Sequence, residues 1–77
     1  MSVLLEFSMF PTDKGESVSP YVSRIISMIR ASGLNYRLTP MGTVVEADGL
    51  PDILDLISKA YNELEPDCNR VYSSLKL

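Results

Sequence analysis

The sequence predicts an α+β fold whose elements follow the order β-α-β-β-α-β. Three observations lead to this. Apolar and polar residues alternate near both ends of the chain, two internal segments repeat apolar residues with a helical period, and the turn signal "PMG" divides the stretch between them. Alternation is typical of a half-buried strand, whereas i, i+3, i+4, i+7 spacing is typical of an amphipathic helix. The 77 residues contain no linker, repeat or low-complexity segment, so we expect one domain spanning 1–77.

The first strand and the first helix are the clearest of these elements. The strand is predicted over 3–10, "VLLEFSMF", and ends at Pro11. In the helix that follows, Ser19 is the expected N-cap, Pro20 the first helical residue and Gly33 the left-handed residue that ends it. The apolar residues of this helix share one face: Val22, Ile25, Ile26 and Ile29.

The second half of the chain predicts a hairpin, a helix and a last strand. Two short strands are expected at about 35–39 and 43–48, and Gly42 is the residue whose positive φ the connection between them needs. A helix follows over roughly 50–64, and "RVYSSLKL" alternates again. The predicted apolar stripe of the second helix contains Leu50, Ile53, Leu54, Ile57, Ala60, Tyr61 and Leu64.

With right-handed crossovers, this element order gives the ferredoxin-like sandwich. Both helices then cover one face of a four-stranded antiparallel or mixed sheet, and we expect the first and third strands to lie parallel and adjacent at its centre. The other sheet face, called the open face below, has no helix over it. The residues that alternation assigns to the open face are Leu4, Glu6, Ser8, Arg37, Thr39, Val44, Glu46, Tyr72, Ser74 and Lys76.

The open face mixes apolar groups, hydroxyls and charges of both signs. Such a mixture occurs on a solvated face, at a wet subunit interface and in a small-ligand pocket, and by itself it favours the first two over the pocket. Covering Glu6 and Glu46 together is costly unless a cation or hydrogen-bond donors compensate their charge. A covered pair therefore favours a cationic or amidine-bearing ligand, but Arg37 or Lys76 would neutralise the carboxylates just as well.

Charge and hydropathy point away from nucleic acid and membrane. Seven Lys and Arg against ten Asp and Glu give a net charge of −3, and the basic residues are scattered singly. Nucleic-acid binding normally uses a clustered basic surface. The N-terminal "MSVLLEF" is too short and too acidic for a signal peptide, and no apolar segment approaches membrane-spanning length. We therefore expect a cytoplasmic protein.

Several catalytic chemistries lack their usual residues. The chain has no histidine, which removes the commonest general base and transition-metal ligand. Its four glycines are isolated, so no phosphate-binding loop occurs. Cys68, the one cysteine, excludes an internal disulfide and is expected to be structural rather than reactive. Acid–base work by Glu46 lacks an identifiable partner. We expect a protein that is not an enzyme and has neither cofactor nor metal.

The sequence resembles the small thiamine-binding protein family. The resemblance is found in "VLLEFSMFP", in "SVSPYVSRIISMIRASGLNYRLTPMGTVVEADG" and in "RVYSSLKL", and "LTPMGTVVE" is its most specific part. It covers essentially the whole chain. It implies ferredoxin-like domains that associate with themselves through the open face and hold thiamine or a related pyrimidine in a cavity. Family members usually continue past "SLKL" into a further helix, so homodimer and homotetramer both remain alternatives.

The same resemblance implies a set of ligand-binding residues, matched motif by motif. Thiamine carries a thiazolium cation and an aminopyrimidine, which suit carboxylates, hydroxyls and soft apolar surface. Met41 and Thr43 serve equally well as turn and packing residues, and Ser19 is better suited to capping than to ligand contact. The implied residues are Glu6, Ser8, Ser17, Ser19, Met41, Thr43 and Glu46.

Two hypotheses for function follow from these observations. In the first, the protein is a non-catalytic binder of thiamine or a similar aminopyrimidine, acting as a carrier, buffer or sensor. In the second, it is an oligomeric interaction module whose open face only packs against other subunits. Stabilisation by the ligand distinguishes the two, because only a ligand that prefers the folded state raises stability.

Overall fold

The computed structural model describes residues 1–77 and confirms the element order β-α-β-β-α-β. Four strands form one sheet in the order β2-β3-β1-β4, and every neighbouring pair is antiparallel. Both helices pack on one face of this sheet, as expected for the ferredoxin-like sandwich. The elements are β1 (Val3–Pro11), α1 (Ser19–Ser32), β2 (Asn35–Thr39), β3 (Gly42–Ala47), α2 (Leu50–Leu64) and β4 (Val71–Lys76).

The central strands β1 and β3 are adjacent, but the prediction that they run parallel is wrong. They pair antiparallel, with Leu5 opposite Val45. The connectivity explains why. The crossover through α1 brings β2 into the same direction as β1, and the tight hairpin after β2 then reverses the chain. The sheet is therefore wholly antiparallel rather than mixed.

The core lies between the sheet and the helices. Alternation along β1 and β3 sends their odd-numbered residues to the helix side, as the sequence predicts. No polar or charged residue is buried. The buried apolar cluster consists of Leu5, Phe7, Met9, Ile25, Ile29, Val45, Ala47, Ile53, Leu56, Ala60 and Leu64.

The start of α1 differs from the prediction. Val18 is the N-cap, and Ser19 is the first helical residue with no capping hydrogen bond from its side chain. The Val18 carbonyl accepts hydrogen bonds from the N–H groups of Tyr21 and Val22, each at 3.0 Å. The end of the helix is as expected, since Gly33 adopts a left-handed φ of +79°.

Helix α2 buries a narrower stripe than its sequence predicts. Leu50, Leu54 and Tyr61 belong to the predicted stripe but are exposed, whereas Leu56, which the prediction left out, is buried. A helix in a two-layer sandwich meets the sheet on one side only. Apolar residues on the flank of the stripe therefore remain in contact with solvent.

The β2–β3 hairpin has a two-residue loop, Pro40 and Met41. The Thr39 hydroxyl stabilises it, accepting from the Met41 N–H at 3.2 Å and donating to the Gly42 carbonyl at 2.8 Å. Gly42 has the predicted positive φ, +143°. A Cβ at this position would lie 2.8 Å from the Phe7 carbonyl oxygen, so glycine is also required for the close approach of β3 to β1.

Candidate functional site

The open face carries the residues that alternation assigned to it. The strand pairing orders them into rows that cross the sheet, because residues directly opposite one another in antiparallel strands share a face. One row runs from β2 to β4 as Arg37, Val44, Glu6 and Lys76. The next row begins at the Asn35 end of β2 and contains Asn35, Glu46 and Leu4.

The two carboxylates of the open face lie in neighbouring rows on the two central strands. Glu6 is opposite Val44, so Glu6 and Glu46 occupy diagonal positions, whose Cβ atoms are roughly 7–8 Å apart in such sheets. Neither takes part in an ion pair, since the salt bridges of the chain join Arg24 to Asp67 and Lys59 to Asp55. Neutralisation by Arg37 or Lys76, the alternative left open by the sequence, is thus absent within one chain.

A concavity of about 490 Å³ lies on the open face beside Glu46. This volume is within the range of small-molecule pockets, roughly 300–1,000 Å³. Glu46 and Arg37 supply its charges, Asn35 and Thr39 its neutral polar groups, and the central strands its apolar floor. We call this feature the open-face concavity; its full lining is Leu4, Asn35, Tyr36, Arg37, Thr39, Val44 and Glu46.

The structure brings some of the predicted ligand-binding residues together. Glu46 lines the open-face concavity. Glu6 and Ser8 lie on the same face, on β1, but outside the lining. Motif matching missed Asn35 and Arg37, two polar residues of the lining. Strand register would have found Asn35, which lies directly opposite Glu46.

The other predicted residues lie elsewhere. Thr43 is opposite Phe7, so it lies on the helix side of the sheet and cannot reach a ligand held beside Glu46 within the same chain. Met41 is at the hairpin tip, with 81% of its surface exposed. Ser17 and Ser19 are exposed, one before α1 and one at its first residue.

Thr43 instead lines a smaller cavity between α1 and the sheet, of about 100 Å³. This volume is below the usual range for ligand pockets. Its walls are mostly apolar, with Val22 and Ile26 from α1 and Phe7 and Met9 from β1. The packing role that the sequence left open for Thr43 accounts for this position.

A groove between the two helices is a weaker candidate. It has a volume of about 400 Å³ and is lined by Ser23, Arg24, Ser27, Met28 and Glu63. The Arg24 guanidinium already donates two hydrogen bonds to the Asp67 carboxylate, at 2.9 and 3.2 Å. The charged group best suited to a ligand is therefore engaged within the fold.

Cys68 lies in the loop between α2 and β4. Burial raises the pKa of its thiol, and the nearby carboxylates of Asp67 and Asp13 raise it further. A thiol with a raised pKa stays protonated near neutral pH and is a poor nucleophile. This environment agrees with a structural role for Cys68.

Fold and site together define a ferredoxin-like α+β domain with a charged, ligand-sized concavity on its helix-free sheet face. The family model described as thiamine-binding protein matches residues 5–77. The chain belongs to this family, which is named for binding a small molecule rather than for a reaction. Neither helix is long and apolar enough to cross a membrane.

Relatives and solved structures agree with this assignment. The UPF0045 protein MJ1052 of Methanocaldococcus jannaschii is 40% identical over 75 residues, which cover 97% of this chain and 74% of the relative. A UPF0045 protein of Mycobacterium tuberculosis is 32% identical over 77 residues, which cover 100% of this chain and 76% of the relative. The crystal structure of MJ1052 superposes with a TM-score of 0.87 at 39% identity, covering 97% of this chain and 76% of that one.

A further solved structure shows how widely the fold is shared. A Thermotoga maritima protein, provisionally named a thiamine biosynthesis/salvage protein, superposes on this chain with a TM-score of 0.86. The superposition covers 99% of this chain and 81% of the Thermotoga chain, but the two sequences are only 22% identical. At this identity, the likeness shows the fold alone.

Proposed function

We propose that the protein binds thiamine, or a related aminopyrimidine, in the open-face concavity and acts as a non-catalytic carrier, buffer or sensor. The observation that carries the proposal is Glu46, a carboxylate that lines this ligand-sized concavity without an ion-pair partner. Family membership supports the choice of ligand. The thiazolium cation and the aminopyrimidine both interact favourably with a carboxylate.

The floor of the concavity supports the same ligand. Leu4 and Val44 provide apolar surface on the central strands, and Asn35 provides an amide beside Glu46. Small-molecule sites typically combine such apolar surface with a few placed polar groups. The pyrimidine ring would pack on the apolar floor while its amino group donates to Glu46.

A second copy of the chain would complete the site. Bound small molecules are usually largely buried, whereas the open-face concavity has no roof within one chain. Outside the concavity, the open face carries Glu6 on a central strand and Lys76 on an edge strand. A symmetric pairing that places Lys76 of one copy over Glu6 of the other would bring opposite charges together and leave the charges of the concavity for the ligand. We propose a homo-oligomer assembled through this face.

Ligand-induced stabilisation tests the binding function. At a hundredfold excess over the dissociation constant, a ligand specific for the folded state adds about 2.7 kcal/mol. For a domain of this size, that corresponds to a rise in Tm of roughly 10 °C or more. We expect such a rise with thiamine, and a smaller one for Glu46→Gln, which keeps the shape but removes the charge.

The matched control is Glu63→Gln, since Glu63 lies on α2, in the layer on the other side of the sheet. This variant should respond to thiamine as the wild type does. An unchanged Tm of the wild-type protein in millimolar thiamine would reject the binding function.

The second candidate function is an interaction module without a small ligand. A tilted aromatic pair, Phe10 and Tyr72, with ring centroids 5.6 Å apart, supports it. The pair lies on the open face but does not line the concavity, and Tyr72 is 55% exposed. Self-association without any thiamine response would favour this candidate.

A further inference from the structure

The open-face concavity contains a cation as well as a carboxylate. Arg37 lies on β2 opposite Val44, and Glu46 lies two residues further along β3. The two charged residues are therefore diagonal neighbours on one face, with Cβ atoms roughly 7–8 Å apart. Asn35 separates them on one side, because it is directly opposite Glu46 and two residues before Arg37.

Arg37 and Glu46 do not pair with each other, although both side chains are long enough to meet across a diagonal. Exposed charges do pair elsewhere in the chain, where Arg24 reaches Asp67 and Lys59 reaches Asp55, both at 2.9 Å. No side-chain hydrogen bond holds the Arg37 guanidinium either, in contrast to that of Arg30, which donates to the Tyr36 hydroxyl at 3.0 Å. The concavity thus presents one free charge of each sign.

A covered site with two unpaired charges needs a ligand that supplies both counter-charges. Burying either charge without a partner is expensive. Thiamine brings a cation for Glu46 but no anion for Arg37. The guanidinium is a planar donor fork that matches phosphate oxygens in a bidentate manner. A phosphate ester of the same ligand would satisfy Arg37 and leave the contact with Glu46 in place.

We propose that the open-face concavity recognises a zwitterionic ligand whose cationic portion contacts Glu46 and whose phosphate contacts Arg37. This inference rests on the proposed function, and with it the preferred ligand is thiamine monophosphate rather than free thiamine. Arg37 is then the residue that distinguishes the phosphorylated form from the free form.

Calorimetric titration of the intact protein with thiamine, thiamine monophosphate and inorganic phosphate tests this. Hydrogen bonds to a charged group correspond to roughly a tenfold to hundredfold gain in affinity, so we expect the monophosphate to bind tighter than thiamine by that factor. Arg37→Gln should abolish the preference, so that this variant binds the monophosphate and thiamine with similar affinities. Glu46→Gln should weaken both ligands.

Lys59→Gln is the control, because it removes one positive charge from α2 without touching the open face. It should preserve the preference for the monophosphate. Arg37 is exposed, so its replacement should leave the fold intact, which circular dichroism can verify.

The outcomes distinguish this inference from the proposed function. Equal wild-type affinities for thiamine and its monophosphate, or a preference that survives in Arg37→Gln, would overturn the role of Arg37 while the binding function stands. Inorganic phosphate binding as tightly as the monophosphate would show a plain anion site and overturn the inference as well. Absence of binding by either thiamine compound would reject both proposals.

Discussion

At the scale of single residues, Gly42 shows how closely the two central strands approach. Its φ of +143° is one that other residues rarely adopt, and a Cβ there would meet the Phe7 carbonyl oxygen at 2.8 Å. That oxygen belongs to backbone in the middle of the sheet and cannot move aside cheaply. Gly42 therefore satisfies the turn and the strand contact at once.

Gly42→Ala should lower the free energy of unfolding by about 1–3 kcal/mol, the usual cost of a strained backbone conformation, with the contact against Phe7 placing it at the upper end. Urea denaturation measures this. Gly15→Ala is the matched control, because Gly15 has a φ of +79° but no atom within 4 Å of the added Cβ. Equal losses in the two variants would show that the contact with Phe7 contributes nothing.

Glu46 and Thr43 show what residue spacing reveals about a site. The alternation that buries Val45 and Ala47 also places Thr43 on the helix side. The two-residue period of a strand therefore shows which face a residue occupies, whereas nearness to Glu46 in the motif does not. The position of Glu46 on the open face follows from the same period. The sequence assigned Arg37 and Glu46 to the same face, but alternation alone did not place them in one concavity, because this depends on the register of β2 against β3.

At the scale of elements, two loops at one end of the sandwich hold each other. The Asp13 carboxylate, after β1, accepts hydrogen bonds from the backbone N–H groups of Asn69 and Arg70, at 2.8 and 3.4 Å. Asp67, after α2, receives the two hydrogen bonds from Arg24 of α1. These contacts connect both crossover loops to the first helix and the last strand.

Both carboxylates should make stability depend on acid pH. The backbone hydrogen bond from Asn69 holds the pKa of Asp13 below its usual value, and the hydrogen bonds from Arg24 do the same for the pKa of Asp67. A native pKa below the unfolded one gives stability that is complete above the unfolded value, about 4, and is lost as pH falls through the lowered native pKa. Stability should thus fall as the pH decreases below about 4.

Asp13→Asn tests this contribution through urea denaturation at several pH values. The variant should be less stable than the wild type at pH 7, and the difference should shrink towards zero as the wild-type carboxyl becomes protonated. Asp48→Asn serves as the control, since Asp48 is exposed and makes no side-chain hydrogen bond. A difference for Asp13→Asn that stays constant from pH 7 to pH 2 would contradict the assignment.

The elements also show where periodicity stops being informative. The bounds of α2 matched the prediction, because its apolar spacing is a local signal. The buried stripe of α2 matched only in part, because Leu54 and Leu56 are both apolar and only the packing direction selects Leu56. The N-cap of α1 likewise depends on a backbone turn at Val18 rather than on a favourable side chain.

At the scale of the whole molecule, the core is small. Only 12 of 77 residues are buried, and a domain of this size hides only roughly 60% of its unfolded surface. The open face meanwhile exposes Leu4 and Tyr72 on one continuous surface. Burial of this face against a second copy would stabilise the fold and would at the same time enclose the open-face concavity.

Leu4→Glu should shift the protein towards a lighter species in sedimentation velocity, because it adds a third carboxylate to the open face, directly opposite Glu46. Leu54→Glu is the matched control. The exposures of Leu4 and Leu54 are nearly equal, 57% and 53%, but Leu54 lies on α2. If the dimer forms through the open face, Leu54→Glu should sediment with the same mass as the wild-type protein.

The sheet-face assembly would be ruled out by a wild-type protein that is monomeric up to hundreds of micromolar. It would also be ruled out if Leu4→Glu and the wild-type protein sedimented with the same mass. Circular dichroism of both variants separates loss of assembly from loss of folding.

The sequence by itself determined the element order, the two faces of each strand and the ferredoxin-like class, because these depend on short-range periodicity and turn residues. Tertiary structure decided which residues of β1 and β3 lie opposite one another, the buried stripe of α2 and the juxtaposition of Arg37 with Glu46. The first two depend on contacts between segments distant in the chain, and the third depends on the register of the β2–β3 hairpin. No local pattern encodes such contacts, since the geometry that joins the segments exists only after the layers have packed.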